Sequence, residues 1–312
     1  MTRSSHPLSV AVVVGMALAL VGCQASPPDA SGAARPRERE LVDLRHRILE
    51  YAEQVKERDS YAPPTKRQQK ALAEGVGELL EGDFRAAEKS LAAVDFRVTR
   101  LTDTASGRRY DEVAARGSGE EARWGRLYVT ADAAVGWTVQ VPHPVADRDT
   151  ETLGVDLLEG TPRGALVLAG AHRTSGREDS ADVAHRTDSA FHGIVLEFQK
   201  RNVPGMQIHG FARASDRPYE AILSTGVTEA APAEAEGLAD RLEDDGLRVC
   251  RGWSDRCPLE GTTNVQGKAA QKYGTAFVHV ELAPRARGDG SVAGRARSAL
   301  AALLSSWVKN GG

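Results

Sequence analysis

The chain is poor in cysteine, methionine and aromatic residues, and it has no dominant charge. Its 312 residues include three Cys and three Met, and 40 Lys and Arg stand against 43 Asp and Glu. Three cysteines exclude a disulfide-dense scaffold and a four-cysteine structural zinc site. A net charge of −3 leaves no electrostatic footprint for nucleic acid or an anionic bilayer surface as partner. Repeats are absent, and the only biased run in the second half is a short Ala/Glu/Pro stretch at 230–237. With 41% hydrophobic residues, the chain can bury one good-sized core plus a small accessory domain.

What is present begins at the N-terminus. Arg3 is followed by an uncharged apolar run over 8–20, too short for a permanent transmembrane helix, and the run ends in Leu20-Val21-Gly22-Cys23. This segment resembles a bacterial lipoprotein signal, in which the cysteine thiol is lipidated and becomes the new N-terminus. The resemblance implies export, a lipid on Cys23 and attachment to a membrane facing outside the cytoplasm. Residues 24–37, rich in Ala, Ser, Pro and Gly, read as a tether. In an oxidising compartment Cys250 and Cys257 most simply form a local disulfide at the rim of the expected pocket. A zinc pair is the alternative, although no second Cys-rich pair exists to complete it.

Apolar residues at helical spacing over 38–56 and 66–94, with a Gly82-Asp83 corner similar to one tetratricopeptide-type hairpin, predict a small helical cap over 38–95. From 96 the period becomes two, at 96–101 and 125–129. From Trp137 strands and helices alternate: strands at 137–141, 164–169, 205–208 and 275–282, and helices at 150–158, 189–199, 237–245 and 294–308. That order predicts an α/β domain over 96–312 with a mainly parallel sheet covered by helices on both faces. Ligands in such sheets sit beyond the carboxyl ends of the strands. Six of the eight histidines lie between 143 and 279, and His143, His172 and His209 directly follow buried strands. Two imidazoles with one carboxylate are a common catalytic zinc set.

Four phrases, in order, resemble the phage-type poly-γ-glutamate hydrolases. They are His143 with Asp147 and Thr150; His185-Arg-Thr187-Asp-Ser189; Ile208-His209-Gly210; and Asn264 followed by His279-Val-Glu281-Leu and Arg287. The likeness extends more distantly to N-formylglutamate amidohydrolases and zinc carboxypeptidases, which share a phosphorylase/hydrolase-like α/β fold, and it covers just under half the chain. Where the family carries Gln in the closing phrase, this chain has His279. Where the family is glycine-rich after the first histidine, this chain has Pro144-Val-Ala, and the spacing to the acid is shorter by one.

The resemblance implies zinc held by His143, His209 and an acid, either Asp147 or Glu151, with Glu281 as the proton carrier. The other reading of Glu281 is a partner for Arg285 or Arg287. Arg173 and Arg186 are candidates to hold a substrate carboxylate, or else are solvated surface arginines. His185 is a candidate for substrate or oxyanion contact, oriented by Asp188. The expected activity is amide hydrolysis on a γ-glutamyl, cell-wall peptide or acyl-amino-acid substrate outside the cytoplasm. A binding module without turnover and a metal-free envelope scaffold are the alternatives.

Overall fold

Ten strands form a single sheet in a computed structural model that describes residues 1–2, 38–212, 218–226 and 233–310. Cys23, the signal and the tether lie outside the described residues. In chain order the elements are β1 (Glu40–Val42), α1 (Leu44–Glu53), α2 (Lys66–Leu80), α3 (Phe84–Ala92), β2 (Phe96–Asp103), β3 (Arg109–Ala115), β4 (Arg126–Thr130) and β5 (Trp137–Val141). There follow α4 (Thr150–Gly160), β6 (Gly164–Leu168), α5 (Ala190–Lys200), β7 (Gly205–Gly210), β8 (Ala221–Ser224), α6 (Ala233–Asp244), β9 (Val249–Arg251), α7 (Val265–Tyr273), β10 (Phe277–Leu282) and α8 (Ser291–Asn310).

The strand order is β1-β2-β3-β4-β6-β5-β7-β10-β8-β9. The centre, β6-β5-β7-β10, is wholly parallel, whereas β2, β3, β4 and β8 bring antiparallel pairings to the flanks. The expected α/β class therefore holds, as a mixed sheet that is parallel where it matters for the site. No helix among the described residues is long and apolar enough to cross a membrane.

Alternation along the strands splits the core in two. Leu166 and Leu168 of β6 join one cluster with α1, α4, α6 and α8, while Ala165 and Val167 face a second cluster with α2, α3 and α5. The residues expected as a separate cap, 38–95, are thus divided between the two faces of the sheet. Strand β1 also pairs parallel with β2, and Glu38–Gly312 is one compact unit with no break at 95. The helices start where side chains accept orphan backbone N–H groups: Asp43 caps α1, a Thr65/Gln68 capping box starts α2, Ser189 caps α5 and Asn264 caps α7.

Candidate metal centre

The alternation that builds the core also builds the site. On β7, Met206 and Ile208 enter the apolar cluster, and on β10 so do Val278, Val280 and Leu282. Gln207, His209, His279 and Glu281 therefore turn to the other face. The parallel register sets His279 beside Gln207 and Glu281 beside His209. His143 lies two residues beyond β5, so three neighbouring strands deliver their side chains to one carboxyl edge.

The loop after β5 turns back at once, with the Asp147 N–H donating to the His143 carbonyl at 2.9 Å. Val145 inside it holds φ at +67°, a left-handed conformation that a β-branched residue rarely adopts. The turn sets Asp147 Oδ2 3.2 Å from His143 Nδ1 and 3.4 Å from His209 Nδ1. Glu151 is not part of this group. Its carboxylate accepts the Val145 N–H at 3.3 Å and buttresses the loop instead.

The far side of each imidazole is already committed. His143 Nε2 donates to Asp182 Oδ1 at 2.8 Å. His209 Nε2 meets Gln207 Oε1 at 2.8 Å, and since that amide spends its Nε2 on Gln140 and Gln266, the histidine must be the donor. Asn264 donates to the same Gln207 oxygen, and Gln266 donates to the Val183 carbonyl at 3.0 Å. With Nε2 protonated, the Nδ1 of each neutral ring carries a lone pair directed at one carboxylate oxygen, which it meets only through a second proton or a metal ion. Three acceptors converging in a buried space require a positive charge among them.

The protonation tendencies agree. Burial opposes charge on Asp147, but the hydrogen bonds with His143 and His209 outweigh it and hold the carboxyl well below its usual range. Asp182 is likewise held low against burial by His143, His185 and Arg173. Burial disfavours charge on His143, yet Asp147 and Asp182 on either side draw its pKa up, so this position favours a cation. His209 is pushed down to about 4 and His279 well below the ordinary value, chiefly by burial, so both rings are neutral. The donor set His143, Asp147 and His209, with ligand atoms within 4.8 Å of one another, suits a metal of the zinc type.

The site opens into a cleft of about 370 Å³ lined by His143, Arg173, His185, His209, His279 and Glu281, with residues 257 and 259–264 as its far wall. Cys257 in that wall is joined to Cys250. Glu281 is 8% exposed, its Oε2 has no hydrogen-bond partner among the described residues, and burial together with the Asp147 charge pushes it up to about 8. Neither expected arginine hydrogen-bonds to it. Arg285 pairs with Glu220 at 3.5 Å, and Arg287 donates to the carbonyls of Arg148 and Phe211.

Of the other expected residues, Arg173 and His185 both reach the cleft, each held 3.1 Å from Asp182 Oδ2. Arg186 does not reach it: a two-bond pair with Asp188 turns it aside. Asp188 is thereby occupied, and Asp182 orients His185 in its place. His172 binds Thr174 locally at 2.9 Å. The central anchors that the sequence pattern did not single out are Asp182, Gln207 and Gln266. Asp182, three residues before His185, was the one with a readable signal.

No family model and no curated protein matches the chain, so no such match stands behind the poly-γ-glutamate hydrolase resemblance. Among solved structures, a zinc-free apo form of YNDL is similar at 15% identity and a TM-score of 0.38, covering 59% of this chain and 89% of that one. A metallo-carboxypeptidase from Burkholderia cenocepacia is similar at 14% identity and a TM-score of 0.36 (80% and 69% of the two chains). A succinylglutamate desuccinalase from Vibrio parahaemolyticus is similar at 11% identity and 0.38 (68% and 67%). Likenesses this shallow carry no chemistry, which this chain's own side chains must supply.

Proposed function

We propose that the chain is a zinc-dependent hydrolase of amide bonds, exported and lipid-anchored through Cys23. One observation carries the chemistry: two imidazole Nδ1 atoms converge on one buried carboxylate, and a glutamate whose Oε2 has no hydrogen-bond partner among the described residues lines the same cleft. His143, Asp147 and His209 would hold the ion. Zinc supplies a Lewis acid that polarises a carbonyl and makes water acidic enough to attack.

The remaining steps belong to the protein. Glu281 Oε2 takes the proton from the attacking water and returns it to the leaving nitrogen. A carboxyl shifted up to about 8 by burial is matched to a proton that must be both accepted and released near neutrality. Arg173, held by Asp182 with its side chain 40% exposed, is placed to take a substrate carboxylate. His185, held by the same carboxylate oxygen, is placed to contact the substrate or its developing oxyanion. A cation at the cleft favours an amide flanked by a carboxylate, as in γ-glutamyl polymers, cell-wall peptides and acyl-amino acids.

The anchor rests on the apolar run at 8–20 and the Leu-Val-Gly-Cys phrase, and the Cys250–Cys257 bond suits an oxidising compartment. Cys23→Ser should release the protein from the membrane fraction or block its processing; unchanged fractionation without fatty-acid labelling of the wild type refutes the anchor. For the chemistry, a library of carboxylate-bearing amides is assayed with Glu281→Gln, Asp147→Asn and Glu151→Gln. The expected result is lost turnover with retained zinc in the first, lost zinc in the second, and retained zinc in the third. Wild-type protein that binds zinc but cleaves no member of the library would favour a binding module on the same fold.

A further inference from the structure

We infer that the cleft holds a second seat for a zinc-class divalent cation, formed by His209, His279 and Glu281. Each of these buried residues offers a ligand atom, and the three atoms lie within 4.8 Å of one another. Among the described residues, His279 Nδ1 and Glu281 Oε2 are both buried and both lack a hydrogen-bond partner, in residues only 3% and 8% exposed. Buried polar atoms left unpaired in this way are costly unless a ligand meets them, and an imidazole nitrogen beside a carboxylate oxygen suits a cation.

The group is rigid. His279 and Glu281 stand two residues apart on one face of β10, and the His279 ring lies 4.6 Å from that of His209. Gly261 of the cleft wall, at φ +65°, lies over the His279 ring, where a Cβ would come within 2.8 Å of it. Two imidazoles and a carboxylate repeat the donor chemistry of the first group with a different pair of residues.

His209 is common to both groups, and its Nε2 is spent on Gln207. One bare nitrogen cannot serve two ions fully, so the second seat is the weaker. An ion there takes up the carboxylate assigned to proton transfer, and excess metal then silences the site. The seat rests on the zinc reading above through the shared His209, and the experiment separates the two.

Full-length protein is stripped of metal and titrated with zinc against a chromophoric chelator, with bound zinc counted by mass spectrometry after desalting. Wild type should show one tight ion and a second, weaker one. Losing even an outer partner of a metal typically costs 10- to 100-fold in affinity, so His279→Gln and His279→Ala should each weaken the second class by at least about 100-fold while sparing the first. Glu281→Gln should do the same and covers the case in which a His279 variant fails to melt like wild type. One ion only in wild type, or two whose affinities ignore all three substitutions, overturns the second seat and leaves the hydrolase reading standing. No zinc at all overturns both.

Discussion

Two glutamates are buried in the same sheet under opposite circumstances. Glu112 on β3 is 1% exposed and receives Arg47 at 2.6 Å and Arg126 at 3.1 Å. Burial works against its charge, but the hydrogen bonds from Arg47 and the two arginine charges win, and its pKa is lowered. Glu281 on β10 is nearly as buried and has no such hydrogen-bonded partner among the described residues, so burial wins and its pKa rises to about 8. A matched buried charge belongs to the architecture, whereas an unmatched one at a cleft is held in readiness for a proton or an ion.

Breaking the matched case should have the larger effect on folding. Glu112→Ala strands two arginines that are each about a quarter exposed, and a loss of about 3 kcal/mol is expected, the lower end for a broken buried pair. Denaturant melts measure it, and the tight zinc ion should be unaffected. Replacing Cys250 and Cys257 together by Ser should lose about 2 kcal/mol, as expected for a short closed loop, and loosen the cleft wall that Cys257 lines, read as faster hydrogen exchange at 257–263.

Gln207→Leu leaves His209 Nε2 and Asn264 without their acceptor. It should cost roughly 1–2 kcal/mol of stability. A fall of about 10- to 100-fold in zinc affinity should accompany it in metal titrations.

The matched glutamate also predicts a pH dependence. Because its folded pKa is depressed, its contribution is complete above the unfolded carboxylate value and is lost as pH falls through the folded one. Melts between neutrality and about pH 3 should show this loss in wild type and a flatter profile in Glu112→Gln. The smallest folding effect is expected at the unmatched site. Glu281→Gln should change stability by less than about 1 kcal/mol, while turnover falls by roughly 10²- to 10⁴-fold.

The central strands and the histidines at their ends were legible because buried parallel strands are continuous apolar runs and their carboxyl ends are where side chains can meet. β1 and β9, of three residues each, and the polar helix α7 were not, since no period develops over such lengths or compositions. The division of α1 from α2 and α3 across the sheet is a tertiary fact that helical spacing cannot carry. Within the site, His143, Asp147, His209 and Glu281 could be named from motif order. Gln207 and Gln266, each 0% exposed, could not: glutamines are ordinarily surface residues, and these are buried only because they satisfy one another and His209. Arg186 and Asp188 misled because neighbours two apart on a loop neutralised each other instead of facing the cleft.

The zinc content of the folded chain tests the account most directly. Full-length wild type should take up one tight zinc ion per chain, retained in Glu281→Gln and Glu151→Gln, and lost in His143→Ala, Asp147→Asn and His209→Ala variants that still melt cooperatively. A fully folded wild type that binds no zinc, and gains no stability when zinc is added, would contradict it.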